Sequence, residues 1–219
     1  MSSHHVVKEK QEPALIIANG AECEWDLLGQ LLEWSPFVIV LDGAAKRVLE
    51  LGIHFDVVLG DFDSLKDEKA LKAARPEVAF IHIQDQSKTD LEKAMDYLIE
   101  KEFPAVNIVW ATGKRMDHAF NNIISLSKYS PQMTWRLIDN FGMAYPVPKS
   151  FKKFFTKGSA ISLFGIPEAK GIHSKNLKYL LNNLTLKIPE SGSSNEAEVE
   201  GIVEITYKSG NLILMETKD

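Results

Sequence analysis

Residues 57–64 read Val57-Val58-Leu59-Gly60-Asp61-Phe62-Asp63-Ser64. An uninterrupted branched apolar run is the mark of a strand buried on both faces, and the abrupt change to glycine and acids marks its end. A helix is expected to follow from about Leu65 to Ala74. In extended chain, residues i and i+2 point to the same side, so Asp61 and Asp63 are expected to aim both carboxylates at one point beyond the strand. At about 4 Å and an effective dielectric near 20, two such charges repel by roughly 4 kcal/mol. A cation relieves that repulsion, and oxygen-only ligands select Mg²⁺ over zinc. A solvated turn would use the same residues, because Ser64 and Asp67 have the spacing of a helix N-cap and its reciprocal acid.

Working outward, the same strand, polar end and helix recur. Strands are expected at Leu15 to Ala18, Phe37 to Leu41, Asp56 to Leu59, Val78 to Ile83, Val106 to Trp110 and Trp135 to Ile138. Helices are expected at Trp25 to Glu33, Ala44 to Leu51, Asp90 to Glu102 and Asp117 to Lys128, besides the one after Ser64. Leu91, Ala94, Met95, Leu98 and Ile99 form one stripe at helical spacing. This alternation predicts an α/β domain, a mostly parallel, Rossmann-like sheet flanked by helices. Five strands end in Asn19-Gly20, Asp42-Gly43, Gly60 to Asp63, Asp85-Gln86 and Thr112-Gly113. Ligands of open parallel sheets bind beyond those carboxyl ends. After about Asn140 strand-like pieces follow one another without helices, at Ala160 to Phe164, Asn183 to Ile188, Val199 to Tyr207 and Leu212 to Glu216. They predict an antiparallel β-sandwich or flattened barrel. The expected domains are 1–140 and 141–219, with turns at Ser191 to Asn195 and Lys208 to Asn211.

The chain has 219 residues, enough for a sizeable core without staples, and carries a net charge of −5, which provides no basic footprint for nucleic acid. Cys23 is the sole cysteine, so no intramolecular disulfide or thiolate cluster can form. No apolar run approaches the roughly 20 residues of a membrane span, and Met1 to Gln11, which includes His4-His5, lacks the apolar core of a signal peptide. A soluble cytoplasmic protein is expected. Trp34, Phe151, Phe154 and Phe155 are expected in the core.

Two further loops carry chemistry. In Asp85-Gln86-Ser87-Lys88-Thr89-Asp90, Thr89 and Glu92 have capping-box spacing, which places Asp90 in the first helical turn and by itself accounts for an acid there. Capping does not explain Asp85, which with Lys88 offers an oxygen for a metal and a cation for phosphate. In Thr112-Gly113-Lys114-Arg115-Met116-Asp117-His118, a glycine, two cations and a helix N-terminus suit phosphate. The spacing is not that of a P-loop. His118 suits a general acid or base as well as it suits packing, and Asn122 lies one turn further on.

Taken in register, Asp42-Gly43-Ala44-Ala45, Gly60 to Ser64, Asp85 to Asp90, and Gly113 to Arg115 with Asp117-His118 and Asn122 resemble the thiamine pyrophosphokinase family. Gly171 to Leu180 and Ser193-Ser194-Asn195-Glu196 extend the likeness, which spans roughly residues 14 to 216. The resemblance implies transfer of a diphosphoryl group from ATP to thiamine, and a homodimer with shared active sites. It implies Mg²⁺ on Asp61, Asp63, Asp85 and Asp90. It further implies ATP contacts from Asp42, Gly113, Lys114, Arg115, Asp117, His118 and Asn122, and thiamine contacts from Gln86, Tyr179, Ser194 and Asn195, Tyr179 being the stacking aromatic. Ala44, Lys114 and Asn176 stand where glycine is usual in the family. An Asp-x-Asp phosphatase with Asp61 as nucleophile, and a non-catalytic nucleotide or thiamine sensor, are the alternatives.

Overall fold

The computed structural model describes residues 13–63 and 68–218. The chain forms two compact units that divide between His118 and Ala119. In the first, strands β1 (Ala14–Ile17), β2 (Val38–Leu41), β3 (Val57–Gly60), β4 (Ala79–His82) and β5 (Ala105–Val109) form a parallel sheet in the order β4-β3-β2-β1-β5. β1, β2 and β3 are buried at every residue, as their unbroken apolar runs require, whereas the edge strand β4 is partly exposed. Burying a side chain such as Ile16 or Leu59 is worth about 1.5–3 kcal/mol.

Helices α1 (Trp25–Leu32), α2 (Ala45–Glu50), α3 (Glu68–Ala74) and α4 (Asp90–Glu100) connect these strands, and α5 (Met116–Ser127) begins in the first unit. α4 buries Leu91, Ala94, Met95 and Leu98, and its capping box is formed. Thr89 N–H donates to Glu92 Oε2 at 2.9 Å, and Glu92 N–H donates to Thr89 Oγ1 at 3.3 Å. Such a cap contributes about 1 kcal/mol. The helix expected to begin near Leu65 is seen from Glu68, and the Ser64–Asp67 cap lies outside the described residues, as does His4-His5.

The second unit is antiparallel. It contains β6 (Thr134–Asp139), β7 (Gly142–Pro146), β8 (Ser150–Phe155), β9 (Ala160–Lys175), β10 (Leu184–Lys187), β11 (Gly192–Glu196), β12 (Gly201–Thr206) and β13 (Ser209–Thr217). The strand order is β6-β7-β13-β9-β12-β8, with β10 and β11 also on β9. β9 belongs to two sheets, and Leu163, Ile172, Leu177, Val203, Ile205 and Leu214 fill the core they enclose. β6 turns tightly through Asn140-Phe141 into β7. Three expectations change here. Ser191 to Asn195, expected as a turn, is mostly the strand β11. Ser209 to Asn211, expected in the turn before the last strand, already belongs to β13. Trp34 and Phe154 are exposed rather than core, while Phe155 is buried and Phe151 packs against the core.

Candidate active site

At the carboxyl ends of the first unit's strands, glycines let the loops close on one another. A Cβ at Gly20 would lie 2.3 Å from the carbonyl oxygens of Trp110 and Thr112, and one at Gly43 would lie 2.4 Å from Asn19 Nδ2. Arg47 braces the same edge: its guanidinium lies 4.4 Å from the Trp110 ring centroid, and Nη2 donates to Gly20 O at 3.0 Å. The ends of β1, β2 and β5 therefore lie against one another.

Within that region, carboxylate oxygens of Asp42, Asp61 and Asp90 lie within 4.8 Å of one another. Asp42 follows β2, Asp61 follows β3 and Asp90 opens α4. Asp42 is 5% exposed; its Oδ1 accepts the Gly43 N–H, and its Oδ2 is buried without a partner. Burial, reinforced by the Asp90 charge, pushes its carboxyl above the ordinary range. Asp61 shifts the other way. The Asp63 N–H, then Gln86 and Lys93, hold it below the ordinary range, with distances of 3.1 Å to the N–H and 3.2 Å to Gln86 Nε2. Lys93, which the sequence reading overlooked, is 3% exposed and sets Nζ 2.9 Å from Asp90 Oδ1 and 3.8 Å from Asp61 Oδ2. A cluster made only of oxygen donors, one of them buried and unpartnered, suits a hard divalent cation such as Mg²⁺.

The cluster differs from the expected set Asp61, Asp63, Asp85 and Asp90. At Phe62, whose φ of 64° is left-handed, the extended chain is interrupted and turns, and Asp61 Oδ1 accepts the Asp63 N–H. Phe62 is fixed by stacking on His82 at 5.2 Å. Asp85 folds back on its own loop, where Oδ1 accepts Ser87 N–H at 2.8 Å and Ser87 Oγ–H at 2.6 Å, which holds its carboxyl below the ordinary range. Lys88 is engaged by Asp96 at 2.7 Å, and Gln86 holds Asp61.

In the loop before α5, Gly113 takes φ 96°, and a Cβ there would lie 2.4 Å from that of Ala21. Lys114, Arg115, Asp117 and His118 are exposed. Arg115 forks onto Asp117, with Nε to Oδ1 at 3.1 Å and Nη2 to Oδ2 at 2.5 Å, and holds that carboxyl at about 2. Asn122 is half-buried, one turn along α5.

In the second unit Tyr179 is 61% exposed beside the exposed Leu180. Asn195, expected to meet thiamine, is buried and holds the Tyr179 backbone from both sides. Its Oδ1 accepts Tyr179 N–H at 3.0 Å, and its Nδ2 donates to Tyr179 O at 2.7 Å. Ser194, the next residue along β11, is exposed. The departures from family glycines also have physical readings. Asn176 takes φ 60°, a conformation asparagine tolerates, and exchanges hydrogen bonds with Val199 at 2.9 and 3.0 Å. Ala44 is buried with φ −98°, which needs no glycine, and at Gly113-Lys114 the left-handed position is still a glycine.

Residues 28–136 match the thiamin pyrophosphokinase catalytic domain, and residues 147–212 match the thiamin pyrophosphokinase vitamin B1 binding domain. Thiamine pyrophosphokinase of Bacillus subtilis (strain 168) is 26% identical over 199 residues, covering 89% of this chain and 92% of that protein. Thiamin pyrophosphokinase 1 of Caenorhabditis elegans is 24% identical over 197 residues, covering 82% and 76% respectively. The crystal structure of the Bacillus subtilis enzyme superposes with a TM-score of 0.80 at 25% identity, covering 95% of this chain and all of that one. The yeast structure shares the fold, with a TM-score of 0.76 at 15% identity over 96% and 88% of the chains. With an Asp-rich parallel-sheet unit under the first domain and a β-sandwich under the second, the chain belongs to the thiamin pyrophosphokinase family.

Proposed function

We propose that this protein transfers the diphosphoryl group of ATP to the hydroxyethyl oxygen of thiamine, giving thiamine diphosphate and AMP. The observation that carries the reading is the convergence of Asp42, Asp61 and Asp90 around an unpartnered buried oxygen, in a chain of this family. In the proposed assignment these three acids hold Mg²⁺, which when bound neutralises phosphate charge. Gln86 and the Asp63 N–H orient Asp61, and the capping box fixes Asp90 at the start of α4. Gly113, Lys114 and Arg115 with the N-terminus of α5 present donors to phosphate, and Asp117 keeps the Arg115 fork extended until an anion takes its place. His118 and Asn122 are assigned to ATP as well.

Attack on the β-phosphorus requires the triphosphate held in line with the incoming hydroxyl, so catalysis rests on positioning and charge stabilisation. Tyr179 is assigned to stack on thiamine, with Asn195 holding its backbone and Ser194 exposed beside it. The working division is a catalytic domain over 1–140 and a thiamine-binding, dimerising domain over 141–219. A homodimer is proposed, its support being the exposed apolar residues of the second unit, among them Phe154 paired with Ile202 across β8 and β12. No helix among the described residues is long and apolar enough to cross a membrane.

The test is product analysis with purified protein, ATP and Mg²⁺, with and without thiamine. Thiamine-dependent AMP with an equal amount of thiamine diphosphate is expected; ADP, free phosphate or no product would overturn the assignment.

A further inference from the structure

Among the described residues of this region, Lys93 is explained neither by its helix nor by the proposed chemistry. It is 3% exposed, and a buried ammonium is costly unless it is paired. It sits one turn into α4 from Asp90, on a helix whose buried neighbours Leu91, Ala94 and Met95 would suit an apolar residue equally well. Its Nζ reaches Asp90 at 2.9 Å and Asp61 at 3.8 Å, and it reaches no other acid of the cluster. Three clustered carboxylates carry a formal charge of −3; with Lys93 the sum is −2, the charge that one divalent ion cancels.

We infer that Lys93 is a positioning residue, a built-in counter-cation that holds Asp61 and Asp90 together without metal and sets the cluster's charge for a single divalent ion. The second half rests on the metal reading above. The first half does not. The ammonium prevents the carboxylates from swinging apart before the ion arrives, and it weakens ion binding in return, because it repels the incoming cation. Lys93 thus trades affinity for a site that is already assembled.

The experiment uses the full chain as Lys93→Met and as Lys93→Met with Asp90→Asn, and it has two readouts. In EDTA, thermal unfolding should fall by about 6 °C or more in Lys93→Met, since one partner of a buried ion pair is gone. Adding Asp90→Asn should return at least half of that loss. If the single variant fails to fold, folding of the double variant counts as the recovery. With Mn²⁺ as the probe, followed by calorimetry, Lys93→Met should bind at least about tenfold more tightly than the unsubstituted protein. An unchanged midpoint in EDTA, or a loss that Asp90→Asn does not reverse, overturns the counter-cation role and leaves Lys93 a packing residue. Equal or weaker Mn²⁺ binding in Lys93→Met overturns the charge-setting role. If no protein binds Mn²⁺ while the EDTA pattern holds, Lys93 keeps its role and the metal assignment falls instead.

Discussion

Replacing Asp42 with Asn should stabilise the metal-free protein while disabling it. Asp42 faces two carboxylates with oxygens within 4.8 Å, and at an effective dielectric near 20 each such pair repels by about 3.5 kcal/mol. Lys93 offsets part of this through Asp61 and Asp90 but makes no ion pair with Asp42. The orphaned Oδ2 adds the cost of a buried acceptor without a donor. An amide keeps the acceptor for the Gly43 N–H, removes the charge and supplies a donor toward the neighbouring acids. After the new amide's own burial is charged against it, a net gain of about 1–3 kcal/mol in EDTA is expected, or about 2–12 °C in Tm for a chain of this size.

The pH dependence has a fixed sign. Asp42 titrates above its ordinary value near 3.8 when folded, so the wild-type protein is relatively stable below that value and loses stability as pH rises through the folded pKa. The advantage of Asp42→Asn should therefore shrink as pH is lowered toward 4. Thermal unfolding in EDTA and again in millimolar Mg²⁺, at several pH values, reads all of this. Mg²⁺ should raise the wild-type midpoint and barely move the variant, whose turnover should fall at least about a hundredfold. A variant less stable than wild type in EDTA, or equally stabilised by Mg²⁺, would refute the reasoning.

Tyr179→Ala should leave the unfolding free energy within about 0.5 kcal/mol of wild type, because the ring is exposed, while raising the thiamine KM by a much larger factor than the ATP KM; equal changes in both constants would remove the stacking role. Asn176→Ala loses hydrogen bonds to Val199 and must adopt φ near 60°, so denaturant unfolding should show a loss of about 2–4 kcal/mol, and Asn176→Gly a smaller one. Asp117, held at about 2 by Arg115, contributes stability above the ordinary carboxyl range that is lost as pH falls from about 4 toward 2. An NMR titration of Arg115→Gln should find that carboxyl returned to the ordinary range.

What the sequence disclosed, and what it concealed, follows from the range of the interactions involved. Each of the first six strands begins or ends within a residue or two of its apolar run, and in β1, β2 and β3 burial on both faces leaves few alternatives for Val, Ile and Leu. The capping box was legible for the opposite reason, being formed within four residues. Gly192-Ser193-Ser194-Asn195 reads locally as a turn, and only pairing with β9 makes it a strand. The strand pattern of β9 is legible only to Phe164 because Gly165, Pro167 and Gly171 break it. At the site, convergence of the acidic strand ends was legible, but not which acids meet. That was decided by one left-handed residue, Phe62, and by the partners that turn Asp85 back on itself. Lys93 escaped notice as a cation on an amphipathic helix, although its i, i+3 spacing from Asp90 was a usable signal.

Gly60 and Asp42 share one hole. A Cβ at residue 60 would come within 2.7 Å of Asp42 Cγ, so the missing side chain on β3 is the room in which the carboxylate after β2 stands. The two positions behave as a lock with one key. Enlarging residue 60 would displace the acid at 42, whereas losing the acid alone does not release the glycine, because the Cβ of any residue at 42 would still lie 2.8 Å from one at 60. A descendant that carries a side chain at 60 would then be expected to lack a working acid at 42, a mark by which such an inactive relative could be told on sequence alone.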